Sequence, residues 1–117
     1  MPTNAATSTP IDPLESLGQK FTAIRAARAR ISELYDQGAL DEKYAKRRLW
    51  ELNWLEAQLD AEQDAMDLTG PVSPVLTSDQ TEQLASAVRR LAEHNVASDS
   101  ARAIIKELFT LLGIATR

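Results

Sequence analysis

The segment from Glu42 to Leu68 constrains the fold most, because its pattern predicts a helix with two opposite apolar sides. At about 100° per residue, one stripe contains Ala45, Leu49, Leu52, Leu55, Leu59 and Met66. The opposite side carries both tryptophans and three smaller apolar residues, namely Trp50, Trp54, Ala57, Ala61 and Leu68. A surface helix of a small monomer needs only one apolar face. We therefore expect these five residues to form a protein interface.

Two arrangements can cover the tryptophan stripe. In one, Trp50 and Trp54 pack under C-terminal helices of the same chain. In the other, they anchor a homo-oligomer or another protein interface, where tryptophan is enriched. The two arrangements are compatible if the C-terminal helices are exchanged between the subunits of an oligomer. Burying one tryptophan removes roughly 200 Å² from water, which is worth a few kcal/mol at about 25 cal/mol per Å².

Composition narrows the class of protein. The 117 residues suit a single domain, and the predominance of Ala, Leu, Glu, Arg and Gln favours helix. The chain has no cysteine, which excludes disulfides and thiolate metal sites. No apolar run approaches the ~20 residues of a membrane span, and the N-terminus lacks a signal-peptide pattern. We therefore expect a soluble, cytoplasmic, all-α protein that does not enter the membrane.

Local signals place the first two helices. Residues 1–11 are rich in Thr, Ser, Ala and Pro, and we expect a disordered tail. Asp12 and Pro13 begin a helix, which should stop near Gln37 with Gly38 as the left-handed cap residue. Asp41 can then cap the next helix. The short link makes residues 12–68 an antiparallel helical hairpin with coiled-coil-like packing.

The C-terminal part reads as a shorter helical pair over residues 78–117. Residues 69–77 form a linker with Gly70 and Pro71, and Thr77 with Gln80 gives a capping box. The third helix should end near His94-Asn95. The fourth should run from Ser98 or Asp99 to Gly113 and, being apolar around much of its circumference, be buried on more than one side.

Charges are unevenly distributed although the net charge is only −4. The second helix has basic residues near its N-terminus and acidic residues near its C-terminus, an order that is unfavourable for its macrodipole. A possible charged contact patch comprises Arg25, Arg28, Lys43, Lys46, Arg47 and Arg48. Three interpretations stay open: a solvated face, antiparallel self-pairing of basic and acidic ends, or a basic hairpin tip that touches phosphate or an acidic protein.

No constellation of residues indicates catalysis. His94 is the single histidine, and no serine or carboxylate arrangement accompanies it. No Glu-x-x-His pair suggests a di-metal bundle, and no Gly-rich phosphate loop is present. We therefore expect no enzymatic activity, no metal and no cofactor.

Residues 90–108 suggest one alternative function, a small DNA-binding regulator. They predict a helix, a short turn and a second helix with Arg102 and Lys106, as in a helix-turn-helix. Leu91 and Asn95 replace the small residue and the glycine of the usual pattern. The fourth helix is too apolar to lie in a DNA groove, and contacts to phosphate need clustered lysine and arginine side chains. We therefore expect no specific binding to duplex DNA.

Residues 28–60, RARISELYDQGALDEKYAKRRLWELNWLEAQLD, resemble the coiled-coil hairpin inserted in large serine recombinases. Similar helix, Asp-x-Gly-x-Leu/Ile-Asp, helix segments occur in short bacterial oligomerisation modules. The resemblance covers about a quarter of the chain, without the recombinase catalytic domain, and implies a hairpin used for protein–protein contact. We expect a non-enzymatic oligomerising structural or adaptor protein, bacterial or phage-related, whose partner is itself as a dimer or another protein.

Overall fold

The computed structural model describes residues 9–93 and 98–114, and these ranges contain four helices and no strand. The helices are α1 (Pro13–Asp36), α2 (Glu42–Thr69), α3 (Ser78–Leu91) and α4 (Ser98–Leu112). Helix α1 packs against both α2 and α3, and α3 packs against α4. The predicted all-α class, with a long hairpin followed by a shorter helical pair, is confirmed.

The hairpin forms where its capping residues predict it. The Asp12 carboxylate accepts hydrogen bonds from the backbone N–H groups of Leu14 (3.0 Å) and Glu15 (3.2 Å). Gly38 adopts a positive φ of 79° after α1, a conformation that glycine reaches without steric cost. Asp41 then caps α2 by accepting from the Tyr44 N–H at 3.1 Å. The tight link turns the chain back, so that α2 runs antiparallel to α1.

The core lies between the inner stripes of the helices. Ile24 and Ile31 of α1 and Leu52 of α2 are completely buried. All six residues of the first predicted stripe of α2 face this core: Ala45, Leu52, Leu55 and Leu59 are buried, and Leu49 and Met66 are partly buried against it. Helix α4 contributes Ala101, Ile105, Leu108, Phe109 and Leu112.

Helix α3 begins as predicted but ends earlier. Thr77 and Gln80 form the reciprocal capping box, with the Gln80 N–H donating to Thr77 Oγ1 at 3.1 Å. The helix ends at Leu91, not near His94-Asn95, two residues that lie outside the described ranges. Arg30 of α1 donates to the carbonyl oxygens of Leu91 (2.8 Å) and Glu93 (2.9 Å). A side chain from another helix thus satisfies carbonyls that the end of α3 leaves unpaired.

The prediction of a disordered tail is wrong for residues 9–11, while residues 1–8 lie outside the described ranges. The Ile11 N–H donates to the Leu76 carbonyl, and the Ser78 N–H donates to the Thr9 carbonyl, both at 2.9 Å. Ile11 also packs against the core. Residues 9–11 therefore pair with the end of the predicted linker, which burial of Leu76 holds in place.

Candidate protein interface

Both tryptophans lie on the outer surface of α2. Trp50 is 65% exposed and Trp54 is 50% exposed, and Leu68 is 88% exposed at the far end of the helix. Ala57 and Ala61 are exposed between them. These five residues form what we call the tryptophan face. The structure does not place Trp50 and Trp54 under the C-terminal helices, so packing among residues 9–93 and 98–114 does not cover this face.

The placement of this face follows from how α2 packs. Its inner stripe rests on α1, and residues at the opposite side of a helix must then point away. The C-terminal pair packs on α1 through α3 instead of covering the outer side of α2. The tryptophan face is therefore left open by the architecture.

A mainly apolar groove of about 480 Å³ borders the tryptophan face. It lies between the C-terminal half of α2, residues 72–74 and the end of α4. Its lining includes Trp54, Ala61, Ala65, Val72 and Leu112. Val72 is itself 75% exposed, so the groove adds to the apolar surface beside the tryptophans. The sequence does not indicate this groove, because one of its walls is a segment whose pattern predicts only a linker.

Two charged side chains hold that segment beside α2. The Glu62 carboxylate accepts hydrogen bonds from the backbone N–H groups of Val72 (3.0 Å) and Ser73 (3.2 Å). Lys20, only 3% exposed, donates to the Pro74 carbonyl at 2.8 Å and to Ser73 Oγ at 3.3 Å. Lys20 stands within the apolar stripe of α1, three residues after Leu17 and four before Ile24. A lysine at an otherwise apolar position of a helix indicates that its ammonium group has a hydrogen-bond acceptor in the interior of the protein.

The pKa values of both groups respond to this arrangement. Burial alone would raise the pKa of Glu62, but hydrogen bonds from Ser73 and Val72, together with the charge of Lys20, hold it below 4.5. Burial lowers the pKa of Lys20 from 10.5, against the opposing effect of Glu62. The hydrogen bonds that hold residues 72–73 beside α2 are therefore strongest while the Glu62 carboxylate is ionised.

Replacing Glu62 by glutamine should lower the free energy of unfolding at neutral pH by about 1 kcal/mol, because charge-assisted hydrogen bonds to the linker are lost. Folding lowers the pKa of Glu62. Ionised Glu62 therefore contributes fully to the free energy of unfolding when the pH is above its pKa in the unfolded chain. This contribution disappears as the pH falls through the lower pKa of the folded state. Urea unfolding should therefore show the two proteins converging in acid. Exposed Glu82→Gln is the control, and equal stability of Glu62→Gln and wild type at neutral pH would contradict the prediction.

The six residues of the predicted charged patch divide into three groups in the structure. Arg25 and Arg28 reach across the hairpin to Glu56, at 3.7 Å and 2.6 Å respectively. Arg28 also donates to the Asn53 side-chain oxygen at 2.9 Å. These two arginines tie α1 to α2, a contact that the sequence spacing did not indicate.

Arg48 is not part of an exposed patch, which corrects that part of the prediction. It lies about 160° around α2 from Trp50, and its side chain is only 7% exposed. Its guanidinium lies over the rings of Tyr44 (5.1 Å) and Phe109 (5.7 Å), and its Nη1 is 3.1 Å from a Glu51 carboxylate oxygen. Arg48 thus links α2 to the core and to α4.

Lys43, Lys46 and Arg47 are the members of the patch that remain exposed near the tryptophan face. Lys46 pairs with Glu42 at 2.7 Å, and Arg47 approaches Glu51 at 3.6 Å. Such exposed pairs contribute little to stability. These three cations therefore remain exposed to solvent beside the tryptophan face.

Arg102, which the helix-turn-helix alternative needs for base contacts, faces the hairpin. Its guanidinium lies 4.2 Å from the centroid of the Tyr44 ring. Ile105, Leu108 and Phe109 of the same helix are buried. The turn at residues 94–97 lies outside the described ranges. Helix α4 is therefore positioned as a core element that packs toward Tyr44.

Two further properties of the described ranges bear on function. No helix there has the length and apolarity needed to cross a bilayer. No three histidine or acidic side chains cluster there in a way that could hold a metal ion.

No protein-family model matches the sequence, and no curated protein or solved structure matches it either.

Proposed function

We propose that this chain is a non-enzymatic oligomerisation module that forms a homodimer through the tryptophan face of α2. The observation that carries the proposal is the exposure of Trp50 and Trp54, 65% and 50%, on a helix whose other side is already packed. Apolar patches of this kind mark interaction sites on soluble proteins. Tryptophan is also among the residues that most often dominate binding energy.

The dimensions of the face suit a helix–helix interface. The 28 residues of α2 extend over about 42 Å at 1.5 Å per residue. Two such helices in contact, with Val72 and the neighbouring groove added, offer an extended surface. Stable interfaces bury about 1,600 Å² in total. A fully exposed tryptophan offers roughly 200 Å². Because Trp50 is 65% and Trp54 50% exposed, the four rings of a dimer can contribute roughly 460 Å² of that burial, and the neighbouring apolar surface must supply the rest.

Light scattering coupled to gel filtration tests the proposal directly. At tens of micromolar we expect a mass close to twice the chain mass of 12.9 kDa. Dilution should shift the population toward monomer, because the interface forms between chains. A constant monomeric mass over that concentration range would refute self-association.

A further inference from the structure

We propose that the two copies of α2 in this dimer run antiparallel, with Trp50 of each copy seated over Ala61 of the other. This inference rests on the proposed self-association and adds its direction and register. The occupant of the groove beside Trp54 is then the indole of Trp50 from the second copy.

Side-chain sizes along the tryptophan face favour this direction. Its N-terminal half carries Trp50 and Trp54, while its C-terminal half carries the small residues Ala57 and Ala61, with Ala65 beside them. A parallel pair would set each indole against the same indole of the other helix. An antiparallel pair sets large side chains against small ones, which is how facing helices fill space.

Charges at the two ends of α2 favour the same direction. Lys43, Lys46 and Arg47 flank the start of the tryptophan face, and exposed Asp60, Asp64 and Asp67 flank its end. Among the residues that the structure describes, Lys43 and these three aspartates take part in no ion pair. Antiparallel pairing brings the basic end of one copy to the acidic end of the other, whereas parallel pairing would oppose like charges.

The register follows from placing Trp50 opposite Ala61. Trp54 then lies opposite Ala57, close to the twofold axis, and Lys43 lies opposite Leu68. Lys46 and Asp64 are about five helical turns apart on the same edge of α2. The twofold axis therefore brings Lys46 of one copy level with the region of Asp64 in the other. The register that side-chain size selects is thus compatible with one pair of opposite charges between the copies, Lys46 and Asp64.

The groove accounts for where the indole goes. Its volume of about 480 Å³ exceeds that of an indole, and Ala61, Ala65 and Val72 contribute to its lining. Trp50 of the second copy, entering over Ala61, would contact these apolar groups and lie near Trp54. Aromatic contacts of this kind add to the burial of area.

The absence of cysteine from the chain allows a direct test with single-cysteine variants and a short bismaleimide cross-linker. Ala57→Cys should cross-link to itself, since its two copies are close to the axis. Lys43→Cys and Leu68→Cys should each stay uncross-linked alone, because the axis separates identical positions by about 37 Å. Mixing those two variants should yield the cross-linked heterodimer. Ala103→Cys, exposed on α4, is the control and should give no product.

The outcomes separate this geometry from the proposed function. A dimeric mass with self-cross-linking of Lys43→Cys would overturn the antiparallel arrangement while leaving self-association intact. A dimeric mass with no product from the mixed variants would overturn the register. A monomeric mass for the uncross-linked protein would refute the proposed function itself, and the pairing geometry with it.

Discussion

Replacing Trp50 and Trp54 together by alanine is expected to convert the proposed dimer into a folded monomer. Truncating a central interface tryptophan commonly costs 2 kcal/mol or more. The double variant removes four rings from a homodimer, so dimerisation should weaken by at least about 4 kcal/mol, which is roughly a thousandfold. The fold should persist because both rings are at least half exposed. Light scattering reports the mass, while circular dichroism and urea unfolding report the fold.

A matched control distinguishes the tryptophan face from exposed apolar surface in general. Leu14 of α1 is 56% exposed and lies outside the face, so Leu14→Ala should leave the dimer unchanged. Undiminished dimerisation of the double tryptophan variant would show that these rings are peripheral. Loss of helix content instead would show that the rings support folding, contrary to their exposure.

Replacing Glu51 by leucine is expected to lower the free energy of unfolding by about 3 kcal/mol, because it leaves the buried Arg48 without its counter-ion. The pair is already imperfect: Arg48 Nε has no hydrogen-bond partner, and neither has Glu51 Oε1, although it lies 3.1 Å from Arg48 Nη1. Adding Arg48→Met should therefore recover most of the lost stability, since apolar residues often replace buried ion pairs without cost.

Arg47 provides the control, because it approaches the same carboxylate from the surface. Its side chain is 68% exposed, so Arg47→Ala should change stability by less than about 0.5 kcal/mol. Urea unfolding of the four proteins measures each effect. Equal stability of Glu51→Leu and wild type would mean that the Arg48 charge needs no buried counter-ion.

Local sequence determined where most helices begin and how α1 ends. Asp12, Asp41 and Thr77 each bond to backbone groups two or three residues ahead, and Gly38 supplies the positive φ after α1. The two-sided pattern of α2 likewise follows from helical periodicity. Such features are readable because the interacting groups are separated by at most a few residues.

Contacts between distant segments decided the rest. Both stripes of α2 are apolar, and only packing against α1 selected Leu52 and Leu59 for the core and left the tryptophans outside. Arg30 of α1 satisfies backbone carbonyls at the end of α3, and residues 9–11 pair with residues 76–78. The burial of Arg48 depends on Phe109 of α4.

The groove beside the tryptophan face depends both on local sequence and on contacts between distant segments. Helical periodicity determined that Trp54, Ala61 and Ala65 share one side of α2. Their neighbour Val72 came from a segment held by Lys20, more than fifty residues earlier in the chain, and by Glu62. Spacing along a helix predicts which side chains align, but which segments meet across the core depends on the free energy of packing the whole chain. The tryptophan face was therefore determined by sequence, while its exposure and its groove were decided by the tertiary structure.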